Sequence, residues 1–294
     1  MLRYWFLVVL CVWISLYKTS AQTLDQTLVL ADSAWSKGQF SQASSHYLRV
    51  IFFDSAKKNT AYCYAKVADC FAQTQQPDRA KQYYDLAYAA ATTDSLRAEI
   101  ILAKSLTLLT NYQYDHAAQE LYNMPRQIPP QLRRRRELYL GLTYFALENF
   151  EQSQLHLLNT AADCPAQQQA IKTIFEQQKT ARRKNVTLAK ILSIILPGAG
   201  QLYAHDTRNA INSLAINGVF VYLFVATGLN YNFLSAAITV LPWLERYYVG
   251  GINKAAQGAY LYNYSQQLQR YEQLIDLAQG CDSLRILPKD LRKE

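Results

Sequence analysis

Between residues 24 and 165 the chain repeats a pattern of small and large side chains. Ala31, Ala68, Ser105 and Gly141 stand 37, 37 and 36 residues apart, and Ala43, Ala80, Ala117 and Ser153 keep the same steps. Phe40, Pro77, Tyr114 and Phe150 come three before the second column, and Tyr47, Tyr84, Leu121 and Leu157 four after it. Each unit reads as two amphipathic helices joined by a short turn, as at KGQF (37–40) and LENF (147–150). Small residues lie where paired helices approach, and large ones fill the space between pairs. One such pair cannot bury its own apolar face, whereas four stacked pairs can. The pattern predicts an all-α chain with about four helix pairs over 22–165, then a polar capping helix and connector over 166–185.

From 186 to 252 the pattern turns mostly apolar, and this region is predicted to be a membrane domain. The stretch 210–229 has twenty residues without a charge, enough to cross a hydrocarbon layer of about 30 Å. A second span is predicted over 232–249, joined to the first by the tight turn GLNYN to form a hairpin. Glu245 and Arg246 sit among Trp243, Tyr247 and Tyr248, the mixture that the headgroup zone favours; a functional buried ion pair is the alternative. Asn217 and Gly218 are expected to make a close helix contact with a hydrogen bond across it. The stretch 186–203 carries Lys190 and has about ten residues before Pro197, too few to cross unaided. It is read as an interfacial or re-entrant segment that turns at Pro197, Gly198, Ala199 and Gly200 and packs this elbow on the hairpin. Gln201 and Tyr203 are then expected to satisfy the freed carbonyls. A full third span is the competing reading. Residues 253–294 read as an amphipathic helix and a charged tail, which either packs back on the membrane domain or pairs with another chain, leaving a homo-oligomer open.

Residues 1–21 follow the plan of a secretory signal peptide: Arg3, an apolar core from Tyr4 to Tyr17, then Thr19-Ser20-Ala21. An uncleaved anchor is the alternative, and either sends the next domain out of the cytoplasm. The formal charge of +8 is concentrated in RRRR at 133–136 and ARRK at 181–184. A chain outside the cytoplasm rarely meets nucleic acid, so no nucleic-acid partner is expected; a solvated helix face is the main reading and anionic lipid the other. Arg182, Arg183 and Lys184 adjoin the first apolar stretch on the side expected to be external, against the cytoplasmic bias of positive charge; a helix resting on anionic headgroups would ease this. Cys63 and Cys70, seven apart on one predicted helix, would lie about 10 Å apart, too far for a disulfide, and are read as small buried residues.

At the repeat columns the chain resembles the tetratricopeptide repeat family. Ala31, Gly38, Phe40, Ala43 and Tyr47 match its pattern in the first unit, and Gly141, Tyr144, Phe150 and Pro165 in the fourth. In the middle units Gln75 and Tyr112 replace the turn glycine and Pro77 the aromatic residue. The resemblance implies a tetratricopeptide-like α-solenoid with a concave groove for a peptide or protein segment. The family's peptide-carboxylate clamp of regularly placed Lys and Asn is lacking; Tyr62, Tyr64, Tyr83 and Tyr88 are candidate groove residues, with packing as their commoner use. Further on, Pro197, Gly198, Gly200, Gln201 and Tyr203 resemble the small bacterial membrane domains with the signature Pro-Gly-x-Gly-Gln-x-Tyr. Asn217-Gly218, Glu245, Tyr248, Gly250 and 255–263 are similar to the rest of a longer version that follows repeats in secreted proteins. This implies a bacterial envelope and no reaction.

No phosphate loop, nucleophile elbow, metal helix or dinucleotide fingerprint is present in the sequence, so no enzymatic activity, cofactor or metal is expected. Two functions are carried forward. One is a scaffold tethered in the envelope, in the inner membrane by preference since its spans are helical, with its repeats in the periplasm binding a protein or peptide for envelope assembly or secretion. The other is a membrane domain that handles a small solute or lipid, with the repeats as regulators.

Overall fold

The computed structural model describes residues 22–279. The expected leader over 1–21 and the end of the chain with Cys281 lie outside the described residues. Among those residues the structure is all-helical, with fourteen helices and no strand. It divides into two compact units, one up to Thr160 and one from Ala161.

The first unit holds α1 (Leu24–Ser36), α2 (Phe40–Phe53), α3 (Thr60–Gln73), α4 (Pro77–Ala90), α5 (Asp94–Thr110), α6 (Tyr114–Tyr122), α7 (Pro130–Ala146) and α8 (Phe150–Thr160). Each packs on the next, and α5 also touches α3 and α7. Thr23 opens α1 through a capping box: its hydroxyl accepts from the Gln26 N–H at 3.3 Å while the Gln26 side chain accepts from the Thr23 N–H at 3.1 Å. Residues 40, 77, 114 and 150 each begin the second helix of a pair. Both small-residue columns are buried throughout. A Cβ added at Gly141 would come within 2.5 Å of Leu157, and Ser153 donates to the Gly141 carbonyl at 2.8 Å. Small side chains here are what lets paired backbones meet.

The four pair-closing turns share one geometry. Gly38, Gln75, Tyr112 and Glu148 have φ of 73°, 56°, 59° and 58°. The next residue in each case donates its N–H back over the turn to Ala34, Phe71, Leu108 or Tyr144, at 2.9 Å every time, which closes the helix as a Schellman motif. A left-handed residue is therefore used in all four, although only one of them is glycine.

The second unit holds α9 (Pro165–Thr180), α10 (Val186–Ile195), α11 (Ala199–Tyr203), α12 (Thr207–Asn230), α13 (Phe233–Thr239) and α14 (Leu241–Gln279). Helix α9, expected to cap the repeats, groups with this unit and packs on α14. The expected second span over 232–249 is not one helix. It breaks at Val240, between α13 and α14, because Pro242 has no N–H to donate to Ile238 and its ring would crowd that carbonyl. Nor does a separate tail helix begin at 253, since α14 runs unbroken through Gly250 and Gly251 for 39 residues. Helices α10, α11, α12 and α13 all pack on α14.

Candidate functional site

Helix α10 starts at Asn185, whose side chain accepts from the Leu188 N–H at 3.1 Å. It ends at the elbow, where Leu196 is extended and Gly198 has φ of 97°. Both elbow glycines are forced by close backbone approach. A Cβ on Gly198 would sit 2.5 Å from the Ala210 carbonyl oxygen, and one on Gly200 would sit 1.9 Å from that of Ala189 and 2.8 Å from the Ala255 methyl. Gln201 is fully buried and satisfied at both ends of its amide: it accepts from Ser193 at 2.9 Å and donates to the Gly251 carbonyl on α14 at 2.8 Å. Ser193 in turn accepts the Gly200 N–H at 3.1 Å.

The polar residues of the elbow thus act differently from expectation. Tyr248 donates to the Ile194 carbonyl at the end of α10. Gln201 ties the elbow to α14, and the Tyr203 hydroxyl accepts the Asn185 N–H at 3.0 Å. Since Tyr203 meets Asn185 while Gly200 meets Ala189 and Ser193, α10 and α11 run back along each other as a short helical hairpin. Pro197 lies at its tip, where Ile194, Ile195 and Leu196 are exposed.

The hydrogen bond expected across the hairpin from Asn217 is not made. Asn217 is buried, but its amide donates to the Ser213 carbonyl of its own helix at 2.7 Å. Its Oδ1 and the Ser213 hydroxyl are buried without a hydrogen-bond partner. Gly218 faces open space. The close approaches are made by Gly251, whose added Cβ would lie 2.8 Å from the Ser213 hydroxyl, and by Gly228 against Phe233. Glu245 is exposed in the first turns of α14.

Helix α12 is the one described helix long and apolar enough to cross a membrane, and 11 % of its most apolar stretch is buried. Its large apolar side chains face outward: Ile211 is 68 %, Tyr222 70 % and Leu229 74 % exposed. A core helix of a water-soluble protein would bury these positions.

In the first unit the four candidate groove tyrosines make three separate sets of contacts. Tyr62 donates to Asp32 at 3.1 Å and packs edge-on against Tyr47. Tyr64 and Tyr83 pack on each other, with Tyr83 also stacked on Phe71. Tyr88 lines a different cavity, of about 370 Å³, with Tyr84, Asp85, Lys104 and Glu120. Lys104 is 6 % exposed and bridges Asp85 and Glu120, the latter at 2.7 Å. Burial alone would lower its pKa, but these hydrogen bonds outweigh that and raise it. Lys104 occupies the register that carries Leu30, Val67 and Leu140 in the other units, and no sequence signal pointed to it.

Buried hydroxyl–acid contacts also escaped the sequence reading. Tyr47 donates to Asp32 at 2.6 Å and Tyr84 to Asp69 at 2.7 Å. In the last pair Glu137 meets His156 Nδ1 at 2.8 Å, His156 Nε2 lies 3.4 Å from the Tyr122 hydroxyl, and Tyr144 donates to Tyr122 at 3.0 Å. Burial pushes Tyr47 and Tyr84 up, reinforced by their carboxylate partners. Tyr122 is pushed up to about 12, by burial and then by the Tyr144 hydrogen bond. These hydroxyls are held protonated in hydrogen bonds that tie helices together, Tyr47 and Tyr84 as donors and Tyr122 as acceptor from Tyr144, which is the opposite of an activated nucleophile. Burial also pushes the Cys63 and Cys70 thiols up to about 12; both are buried in α3, as expected. Among the described residues no cluster of His, Cys, Asp and Glu could hold a metal ion.

No family model, no curated protein and no solved structure matches the chain.

Proposed function

We propose that the protein is a membrane-anchored scaffold. Its first unit, a tetratricopeptide-like stack of four helix pairs, binds a protein or peptide segment on the periplasmic side of a bacterial inner membrane, in envelope assembly or secretion. The observation that carries the reading is α12, which presents its apolar length outward while the polar networks of the first unit are spent on holding helices together. The packing of α5 on α3 and α7 as well as on its sequence neighbours, with four identical turns, supports the stack. The resemblance of Pro197, Gly198, Gly200, Gln201 and Tyr203 to the Pro-Gly-x-Gly-Gln-x-Tyr membrane domains supports the anchor.

The test is site-specific photo-crosslinking of the full chain in native envelopes, from exposed positions such as Phe52 and Tyr88 on the first unit and Tyr222 on α12. The scaffold reading expects a protein partner captured from the first unit and lipid from Tyr222. Partner capture from the membrane unit alone, or recovery of the chain in the soluble fraction without detergent, overturns it.

A further inference from the structure

The connector between α9 and α10 brings Arg182, Arg183 and Lys184 to a cavity of about 280 Å³ that Arg270 of α14 closes from the other side. None of its ten lining residues is acidic. The connector is fixed in place. Asn263 accepts the Lys184 N–H at 2.8 Å and donates to the Lys184 carbonyl at 2.9 Å, a two-point amide clamp across 79 residues of sequence. The Lys184 ammonium lies over the rings of Tyr203 and Tyr262, at 4.7 and 5.4 Å. Tyr203 belongs to the elbow and bonds Asn185, so the elbow and the basic cavity are built on one another.

The height of this cavity follows from packing within the unit. Helices α12 and α14 are antiparallel: Phe220 stacks on Tyr247 at 5.2 Å, Ser213 faces Gly251, and Asp206, just before α12, faces Gly258. Tyr262 to Arg270 therefore continue α14 past the level at which α12 begins, by about 6 to 18 Å at the helical rise. The polar layer on each side of the hydrocarbon is about 5–8 Å deep. With the start of α12 at the hydrocarbon edge, the Tyr262 level of the cavity falls at the phosphate layer and the Arg270 level about 10 Å beyond it. Guanidinium groups are always charged and pair with phosphate oxygens two at a time.

We propose that this cavity is a binding site for the phosphate of an anionic phospholipid headgroup, held by Arg182, Arg183, Lys184 and Arg270. The proposal rests on the membrane reading of α12 and deepens it: the unit selects the lipid that surrounds it as well as being solvated by it.

The experiment is native mass spectrometry of the full detergent-solubilised chain, offered equimolar phosphatidylglycerol and phosphatidylcholine, with a parallel arm of inorganic phosphate in place of lipid. The expected result is one retained phosphatidylglycerol per chain in preference to phosphatidylcholine. The preference should fall about fivefold for each charge removed in Lys184→Gln and Arg270→Gln, and stay unchanged in Lys254→Gln, which removes an exposed charge of the same unit outside the cavity. Equal retention of the two lipids by the wild-type chain, a reading that needs no variant, overturns the proposal. So does an undiminished preference in both cavity variants, or inorganic phosphate held as firmly as the lipid. Carbonate-washed liposome flotation separates the two failures: a chain that stays in the liposomes but shows no lipid preference defeats the cavity alone, whereas a chain that washes off defeats the membrane reading beneath it.

Discussion

The hydroxyl of Tyr84 donates to a carboxylate oxygen of Asp69 at 2.7 Å, and the same contact joins Tyr47 to Asp32 one repeat earlier at 2.6 Å, the partners standing fifteen positions apart in both cases. In the third and fourth units the equivalent positions are Leu106 with Leu121, and Leu142 with Leu157. The fold thus accepts two solutions at one place, a hydrogen-bonded polar pair or an apolar pair. Burial raises the Asp69 pKa, against the Tyr84 hydrogen bond and the Lys66 charge, so removing Tyr84 leaves a poorly solvated carboxyl.

Tyr84→Phe should destabilise the chain by about 1–3 kcal/mol, the cost of an orphaned buried polar group. The double variant Asp69→Leu, Tyr84→Leu should recover part of that loss, because it installs the pair used further along. Urea denaturation of the detergent-solubilised chain, followed by circular dichroism, measures this, with Asp69→Leu and Tyr84→Leu as the single variants of the double-mutant cycle. A coupling below about 0.5 kcal/mol would show that the two residues act independently.

Gln75 is exposed at φ of 56°, a conformation that disfavours side chains with a Cβ by about 1–2 kcal/mol. Gln75→Gly should relieve that strain, offset in part by the greater freedom of glycine in the unfolded chain. A net gain of about 0.5–1 kcal/mol is expected, seen as a higher urea midpoint with an unchanged slope; a loss would mean that the Gln75 side chain contributes more than its backbone costs.

Two glycines of the second unit should respond in opposite ways. The Cβ of Gly200→Ala would lie 1.9 Å from a backbone oxygen, whereas Gly218 has nothing within 4 Å of an added Cβ. Gly200→Ala should lower stability by about 2–4 kcal/mol, in the range of forced core repacking or worse. Gly218→Ala should be neutral or stabilising by up to about 1 kcal/mol from helix propensity. Thermal denaturation of both variants in the same detergent decides, and equal behaviour would contradict the elbow geometry.

The Glu137 carboxyl is held at about 2 against an ordinary 4.5. Burial alone would raise it, and the hydrogen bonds from His156, Arg136 and Asn159 more than compensate. Because the folded-state value lies below the unfolded one, the stabilisation is complete above about pH 5. It is lost as pH falls through 4.5 toward 2, up to about 3 kcal/mol in all. Urea midpoints between pH 7 and pH 3 should fall more steeply for the wild-type chain than for Glu137→Gln. Parallel curves would remove Glu137 from the acid response.

The helix pairs were legible because close backbone approach tolerates only small residues, and Ala31, Ala68, Ser105 and Gly141 advertise it at a fixed period. Their turns were legible only in part. The left-handed position shows itself in sequence when glycine fills it, as at Gly38, and is hidden at Gln75, Tyr112 and Glu148, where the Schellman bonds impose the same backbone on residues that disfavour it. Tyr47 and Tyr84 were read as filler because their size fits the column; the recurrence of Asp32 and Asp69 fifteen residues ahead was the available signal. In the second unit, Pro197, Gly198 and Gly200 marked the elbow by their backbone demands. The partner of Gln201 lies on another helix 50 residues away, a distance that local spacing does not encode. Pro242 did carry its message in the sequence, but it stood inside an apolar run and was outweighed by composition.

Helix α14 joins the apolar end of the second unit to its basic end without a break over 39 residues, a rod of about 58 Å at the helical rise. A rod of that length without a hinge acts as a lever. A change of about 10° in tilt, within the ordinary range for helices answering bilayer thickness, would swing its far tip by about 10 Å. On the proposed placement of α12 in the bilayer, a change of thickness at the apolar end of this helix would be read as displacement at its basic end.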